Sequence, residues 1–261
     1  MHYTDTGTGE VILFGHSFLW DNQMWQEQVE VLSTQYRCIV PDLWGHGESD
    51  YLDNSECNIA ELADDHILLM DSLGIEKFSI IGLSVGGMWA AHIAFKYPER
   101  INKLVLCDTD LGKEPLFNKF KYYVMIKMME RANCVPPKLV EKVIPIFFSK
   151  TTLENNKKLV CYFKNKLSSI SKECIPTIAT LARAIFWRDS FLNELKQIKA
   201  ETKIIVGSDD IARPPNEARR LEKLIPNATL SIIENSGHIP SCEQPKLLNA
   251  VLLYFFDKTA S

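Results

Sequence analysis

The strongest indication of how this chain folds is a pentapeptide of the pattern G-x-S-x-G, Gly82-Leu83-Ser84-Val85-Gly86. An apolar run at residues 78–81 precedes it and predicts a buried strand, and a helix-compatible stretch at 87–97 follows it. A serine between a strand and a helix lies on a sharp turn, where a Cβ atom at either glycine position collides with neighbouring backbone. The turn also puts Ser84 at a helix start, where the dipole stabilises developing negative charge. The pattern predicts that Ser84 is a nucleophile.

Short apolar runs alternate with helix patterns in two parts of the chain. Apolar runs without polar alternation are typical of parallel strands that are covered on both faces. The helix pattern at 58–73 has a cap at each end, with Asn58 at its start and Gly74 after it. Strands that alternate with helices favour βαβ units, so the sequence predicts an α/β fold with a doubly wound, mostly parallel sheet. The predicted strands are residues 11–14, 38–40, 78–81, 104–107, 203–206 and 230–233, and the later helices are 215–224 and 244–256.

The alternation stops in the middle of the chain. Residues 111–196 contain helix patterns and no convincing strand, and the strand pattern resumes at 203. A helical insertion between sheet strands is the layout of a lid over a pocket at the carboxyl edge of the sheet. We therefore predict one domain, with a core of residues 1–110 and 197–261 and a helical lid at 111–196. The predicted lid helices are residues 117–131, 138–148, 153–167 and 176–186.

Composition excludes several classes of protein. A net charge of −4 and scattered basic residues argue against nucleic acid binding, because the densest basic stretch, 119–127, also carries aromatic and aliphatic residues and is typical of a helix face. Seven cysteines without a C-x-x-C pair predict neither a disulfide framework nor a zinc site, which favours a reducing compartment. No apolar run reaches the roughly 18 residues of a membrane span, and no signal-peptide pattern is visible, so we expect a soluble cytoplasmic protein.

A serine nucleophile needs a general base, and histidine is the residue best suited to that role near neutral pH. His238 follows the predicted strand 230–233, at the end of a strand where open α/β sheets bind their ligands. We therefore predict that His238 is the base. His46, in a tight turn after a strand, is the alternative pocket residue. Three other histidines are expected to be terminal, packing or surface groups: His2, His66 and His92.

The base in turn needs a carboxylate on its other ring nitrogen to fix the tautomer. The sequence Gly207-Ser-Asp-Asp210 follows the predicted strand 203–206, which gives the chain order serine, aspartate, histidine. Asp209 and Asp210 both fit this position, and the residues alone do not separate them. Asp108 and Asp110, after the earlier strand at 104–107, are the rival placement.

Six motifs in order resemble the α/β-hydrolase fold family, specifically its small-molecule esterase and lactonase branch, which includes 3-oxoadipate enol-lactonases. The likeness covers nearly the whole chain outside 111–196. The resemblance implies that the acid is the fourth residue counted from the loop glycine, which selects Asp210, and that the oxyanion donors are the backbone N–H groups of Phe18 and Val85. The motifs are Val11-Ile-Leu-Phe-Gly-His-Ser-Phe18, Pro41-Asp-Leu-Trp-Gly-His-Gly-Glu-Ser49, the serine turn Gly82 to Gly87, Tyr97-Pro-Glu-Arg100, Ile205-Val-Gly-Ser-Asp-Asp210, and Gly237-His-Ile-Pro with Glu243-Gln-Pro245.

Two features depart from the family pattern. The His-Gly pair of the family's oxyanion loop is His16-Ser17 here, with a glycine before the histidine instead. The first strand of the family's sheet has no counterpart, since only residues 3–6 precede the oxyanion loop. We therefore expect a shortened sheet edge.

The resemblance implies two-step acyl transfer to water from a carboxylic ester or lactone, with no metal or organic cofactor. Of the acyl group we predict only that it is apolar and of small to medium size. Three alternatives remain: carbon–carbon bond hydrolysis of dienone acids, a perhydrolase, and a ligand-binding or signalling protein that keeps the fold. Ser84 disfavours haloalkane dehalogenase and epoxide hydrolase chemistry, for which the family uses an aspartate at the turn. Aromatic residues of the predicted lid are expected in its core more than in the pocket: Phe117, Phe147, Phe148, Phe186 and Trp187.

Overall fold

A seven-stranded sheet lies at the centre of the computed structural model, which describes residues 1–52 and 56–257. The strands are β1 (Tyr3–Thr6), β2 (Glu10–Gly15), β3 (Tyr36–Pro41), β4 (Phe78–Leu83), β5 (Ile101–Cys107), β6 (Glu201–Gly207) and β7 (Ala228–Ile233). They are ordered β1-β3-β2-β4-β5-β6-β7, and every neighbouring pair except β1 with β3 is parallel. The predicted α/β fold class is confirmed. Residues 53–55 and 258–261 of the predicted core ranges lie outside the described residues.

Helices follow the strands along the chain. They are α1 (Gln26–Leu32), α2 (Ile59–Ser72), α3 (Val85–Lys96), α4 (Leu116–Ala132), α5 (Pro137–Phe147), α6 (Lys150–Asn155), α7 (Lys157–Ser168), α8 (Ile175–Phe186), α9 (Pro215–Leu224), α10 (Pro240–Glu243) and α11 (Pro245–Phe256). The sheet separates two apolar cores, one with side chains of α1 and α11 and the other with side chains of α2, α3 and α9. Both faces of the sheet are therefore covered, as a doubly wound fold requires.

Local signals explain why α2 forms where the sequence predicts it. Asn58 accepts a hydrogen bond from the backbone N–H of Glu61, and the Glu61 carboxylate accepts one from the backbone N–H of Asn58. This capping box satisfies two N–H groups that a helix start leaves free. At the other end Gly74 has φ +67°, the left-handed conformation in which glycine commonly ends a helix.

The expected shortening of the sheet edge takes the form of a four-residue strand. β1 pairs antiparallel with β3, from Tyr3 opposite Pro41 to Thr6 opposite Cys38, and three of its four residues are exposed. A short, exposed edge strand offers little surface for pairing with another chain.

Five helices, α4 to α8, lie between β5 and β6, and residues 111–196 form no strand. The helix predicted at 153–167 is in fact two, because Asn156 has a non-helical φ of −116° and ψ of 63°. Its side chain accepts a hydrogen bond from the N–H of Leu159 and so caps α7. The division of the chain into a core and a lid stays a prediction.

The parallel strands direct their carboxyl ends to one edge of the sheet. The loops after β2, β4, β5, β6 and β7 therefore meet at that edge, where ligands bind in open α/β sheets. Within the part of the chain that the structure describes, none of the helices combines the length and apolar character needed to cross a bilayer.

Candidate active site

Ser84 lies on the turn between β4 and α3 with φ 58° and ψ −116°. Non-glycine residues rarely adopt positive φ, and such strain costs about 1–3 kcal/mol and is concentrated at functional sites. Both neighbouring glycines are required by close backbone approach: a Cβ on Gly82 would lie 2.3 Å from the carbonyl oxygen of Gly86, and one on Gly86 would lie 2.2 Å from that of Gly15. The N–H of Ser84 donates to the carbonyl of Cys107 at 2.9 Å, which ties the turn to β5.

His238 lies in the loop after β7, and its side chain lines the same cavity as that of Ser84. The ring nitrogen Nδ1 is 2.8 Å from the carboxylate oxygen Oδ2 of Asp210, and both residues are buried. An N–H at Nδ1 that donates to a carboxylate leaves Nε2 with a free lone pair. The imidazole therefore has the tautomer that a general base for Ser84 requires.

Asp210 is the aspartate that contacts His238, whereas Asp209 interacts with the hydroxyl of Ser208 in the loop. The second oxygen of Asp210, Oδ1, accepts hydrogen bonds from the backbone N–H groups of Ala212 at 2.8 Å and Arg213 at 3.0 Å. Three donors therefore satisfy this buried carboxylate. Of the two positions that the sequence leaves open, the geometry favours Asp210.

The rival aspartates after β5 have different surroundings. Asp110 pairs with Arg220 and, at 3.5 Å, with Arg188. Asp108 accepts a hydrogen bond from the backbone N–H of Gly207 at 2.8 Å through Oδ1. Its other oxygen, Oδ2, is buried without a hydrogen-bond donor among the described residues. Asp108 is thus close to the site without being the direct partner of the imidazole.

Another buried carboxylate, that of Glu243, holds the loop of His238 against the inserted helices. Glu243 accepts hydrogen bonds from the N–H groups of Gly237 and Ser149, each at 2.8 Å. The N–H of His238 donates to the carbonyl of Phe147 at 2.9 Å. The end of α5 and the start of α6 are therefore attached to the segment that carries the imidazole.

The backbone N–H groups of Phe18 and Val85 make no hydrogen bond to another described residue. Val85 begins α3, where the first N–H groups of a helix have no partner within the helix. Phe18 lies in the loop after β2, and it lines the cavity together with Ser84. Two free donors near the serine suit an oxyanion site.

Two buried histidines brace the loop that carries Phe18. His16 receives a hydrogen bond at Nε2 from the N–H of Leu43, and its Nδ1 lies 2.8 Å from the carbonyl oxygen of Ser17. His46 receives one at Nε2 from the N–H of Leu19, at 3.1 Å. Each ring accepts at Nε2 and therefore donates at Nδ1 as the neutral imidazole. The alternative prediction, that His46 lines the pocket, is not supported. His46 is not among the residues that line the cavity, and it contacts the loop after β2 instead.

Three buried histidines, His16, His46 and His66, make the stability of the fold depend on pH. Burial lowers the pKa of His16 and of His66 to about 4 and that of His46 to about 3. An unfolded histidine titrates near pH 6.5, so between pH 6.5 and 4 the unfolded chain binds protons that the native state does not. We expect the free energy of unfolding, measured with urea, to fall on acidification in this window, by about 1.4 kcal/mol per pH unit for each histidine. His66→Phe should show a shallower decrease, and an equal slope in the two proteins would contradict this assignment.

The cavity above Ser84 has a volume of about 100 Å³ and a mostly apolar wall. Helices α4, α5 and α8 of the insertion supply most of that wall, and the link between α4 and α5 and the loops after β2, β4, β6 and β7 supply the rest. The aromatic expectation is met in part: Phe147 and Phe186 line the cavity, Phe148 is buried outside it, and Phe117 and Trp187 are exposed. The lining residues are Ser17, Phe18, Leu19, Ser84, Tyr122, Met125, Ile126, Met129, Val135, Leu139, Val143, Ile146, Phe147, Ala182, Ile185, Phe186, Ala212, Arg213 and His238.

Two polar residues of the cavity wall, Arg213 and Tyr122, are not among the site residues predicted from the sequence. Arg213 is buried and its guanidinium is paired at 2.6 Å with the carboxylate of Glu114, which lies just before α4. Tyr122 of α4 stacks on Phe186 of α8 with ring centroids 3.6 Å apart. The position of Arg213, three residues after Asp210, is the only cue that could have indicated it.

Comparison with known proteins agrees with this geometry. Residues 10–245 match the model of the alpha/beta hydrolase fold family. A 2-hydroxy-6-oxononadienedioate/2-hydroxy-6-oxononatrienedioate hydrolase of Burkholderia vietnamiensis is 30% identical over 98% of this chain and 90% of its own length. A thermophilic esterase from Thermogutta terrifontis has a TM-score of 0.90 and 29% identity, covering 100% of this chain and 94% of that one. The enol-lactonase of Burkholderia xenovorans has a TM-score of 0.87 and 25% identity, covering 97% and 95%.

These relatives are named as hydrolases, esterases and lactonases, and they align with nearly the whole chain. The fold, the serine turn and the resemblance in the motifs lead to the same assignment. This chain belongs to the α/β-hydrolase fold family of enzymes.

Proposed function

We propose that this protein is a serine hydrolase that cleaves a carboxylic ester or a lactone through Ser84, His238 and Asp210. One observation carries the proposal. A strained serine opens into the same cavity as an imidazole whose Nδ1 is 2.8 Å from a buried carboxylate. That combination of nucleophile, base and orienting acid is the one that acyl transfer to serine uses.

In the first step Nε2 of His238 takes the proton from Oγ of Ser84 while Oγ attacks the carbonyl carbon. The carbonyl oxygen of the tetrahedral intermediate accepts hydrogen bonds from the N–H groups of Phe18 and Val85, each worth about 3 kcal/mol in related enzymes. The imidazolium then donates its proton to the leaving alkoxide, and the carbon–oxygen bond breaks to leave an acyl-serine.

In the second step water attacks the acyl-serine. His238 takes a proton from the water, and the imidazolium then returns it to Oγ of Ser84 as the acid leaves. With a lactone substrate the alcohol and the acid remain in one product molecule, a hydroxy acid. Asp210 stays ionised throughout and stabilises the imidazolium.

The cavity wall supports an apolar acyl group of small to medium size. Its volume of about 100 Å³ and its aliphatic and thioether side chains offer few polar partners to a substrate. The charge of Arg213 is paired with that of Glu114, so the wall presents little free charge. The esterase and the enol-lactonase among the relatives are consistent with this class of substrate.

One alternative has a specific observation in its favour. The relative with 30% identity is named as a hydrolase of 2-hydroxy-6-oxononadienedioate, a dienone acid whose cleavage breaks a carbon–carbon bond. The same three side chains serve that reaction in the family. The choice between the two reactions therefore depends on substrate and requires a direct comparison.

A substrate panel tests the proposal. We expect kcat/KM to be highest for short p-nitrophenyl esters, from acetate to hexanoate, or for an enol-lactone or homoserine lactone, and to fall for the laurate because the cavity is small. Initial rates would be measured on each ester, each lactone and a dienone acid. Turnover of the dienone acid alone would replace the ester proposal with carbon–carbon hydrolysis, and no turnover of any compound would leave the proposal without support.

A further inference from the structure

Asp108 is a buried carboxyl group that the proposed mechanism leaves without a role. It follows β5 with φ +44° and is 1% exposed. Its Oδ1 accepts a hydrogen bond from the N–H of Gly207, whereas its Oδ2 is enclosed and receives no hydrogen bond from any described residue. An enclosed polar oxygen without a partner costs about 1–3 kcal/mol, so its retention beside a catalytic site requires an explanation.

The surroundings of Oδ2 point to that explanation. A carboxylate oxygen of Asp108, a carboxylate oxygen of Asp210 and a ring nitrogen of His238 all lie within 4.8 Å of one another. Two enclosed carboxyl groups at this separation do not both ionise, because their charges repel in a medium of low dielectric constant. Asp210 accepts three hydrogen bonds and Asp108 accepts one, so the negative charge is better stabilised on Asp210.

From this geometry we propose that Asp108 is a protonated positioning residue that donates a hydrogen bond toward Asp210, and that it replaces Asp210 as the partner of His238 when Asp210 cannot accept. The inference rests on the function proposed above. In the intact enzyme the proton of Asp108 stays on its carboxyl group. When residue 210 carries no charge, Asp108 releases that proton to solvent, and a small side-chain rotation lets its carboxylate accept from Nδ1 of His238.

The electrostatics agree with this assignment. Burial, followed by the charge of Asp210, raises the pKa of Asp108 well above its usual range. The other titratable groups that face Asp108 are His238 and Glu243, after β7, and the thiol of Cys107, next to it in β5. Burial raises the pKa of both Glu243 and Cys107. None of them supplies a permanent positive charge that would favour an ionised Asp108.

Four variants test the proposal: Asp210→Asn, Asp108→Asn, the double variant, and Asp209→Asn as the matched control from the same loop. Asparagine is nearly isosteric with aspartate and tolerates the left-handed backbone at position 108. Asp108→Gly, which also suits φ +44°, serves as a second substitution in the Asp210→Asn background if the asparagine variant unfolds. Urea unfolding verifies that each protein is folded, and kcat/KM is measured from pH 5 to 9.

The expected result is strong non-additivity. Asp210→Asn should lower kcat/KM by about 10²-fold, and the double variant by about 10⁴-fold, which is the loss recorded when a triad acid is removed without a substitute. Asp108→Asn alone should lower it by no more than about 2-fold, because the side-chain NH₂ group of asparagine keeps a neutral donor toward Asp210. Because that change replaces one neutral group with another, the pH midpoint of the acid limb should stay where it is in the wild type. Asp209→Asn should match the wild type both in kcat/KM and in the pH midpoint of the acid limb.

Two results would overturn the proposal. Equal activity of Asp210→Asn and the double variant would show that Asp108 does not substitute for Asp210. A shift of the acid limb to lower pH in Asp108→Asn would show that Asp108 is ionised in the wild type. Covalent labelling of Ser84 by a fluorophosphonate, measured by mass spectrometry, tests the serine hydrolase function separately. A failure of the proposed function is therefore distinguishable from a failure of the proposed role of Asp108.

Discussion

Replacing Ser84 with alanine is expected to lower kcat by about 10⁶-fold on the ester or lactone that the wild type hydrolyses fastest, the size of loss seen when a nucleophilic serine is removed from a comparable triad. The change deletes the only atom that forms the covalent bond to the acyl group. The strained backbone at position 84 belongs to the turn rather than to the hydroxyl, so the alanine variant should still fold. The ratio of kcat between the wild type and Ser84→Ala is measured by stopped and initial-rate assays at matched protein concentration.

Two further variants make this result specific. Ser168→Ala removes an exposed hydroxyl at the end of α7 and should leave the rate unchanged. Ser84→Gly should be as inactive as Ser84→Ala, yet more stable than it by about 1 kcal/mol in urea unfolding, because glycine adopts φ +58° without strain. Equal turnover by wild type and Ser84→Ala would end the assignment of Ser84 as nucleophile.

Replacing His238 with alanine is expected to cost nearly as much, again about 10⁶-fold in kcat, because the hydroxyl then has no base and the leaving group no acid. The double variant Ser84→Ala/His238→Ala should be no slower than either single variant, because the two groups act as one unit. The measurement is kcat for the three variants on a single substrate.

A matched control for this second prediction is His92→Gln. His92 is a partly buried histidine of α3 that stacks on Phe191 and lies outside the catalytic cavity. Its replacement should leave kcat close to that of the wild type. A His238→Ala variant that keeps most of its activity, or losses that multiply in the double variant, would contradict the assignment of His238 as base.

Most of the fold can be predicted from local pattern, and the exceptions are informative. The continuous apolar runs correspond to β2 to β7, since only a sheet covered on both faces buries such runs. Helix α1 was not predicted, because it has seven residues and buries only two, too few for a clear periodicity. The break at Asn156 was missed because a residue that caps one helix can equally lie inside a longer one.

Only some residues of the candidate site can be predicted from local sequence motifs. Ser84 and His238 are indicated by strand-end motifs, and the structure brings their side chains to one cavity, while their catalytic roles stay predictions until the variants are measured. The choice between Asp209 and Asp210 depends on which side chain the turn after β6 directs toward His238. The contributions of Arg213, Tyr122 and the other insertion residues depend on how the insertion packs, which periodicity does not encode.

The bonds of Glu243 limit how a substrate reaches the serine. Glu243 accepts hydrogen bonds from both Gly237 and Ser149. Displacing the junction of α5 and α6 would therefore break buried hydrogen bonds to this carboxylate and move the loop that carries His238. If that junction opened to admit substrate, His238 would be displaced from Ser84 and Asp210 each time. A small molecule that entered beside α4, whose residues lie partly on the outer surface and partly on the chamber wall, would leave both of these hydrogen bonds in place.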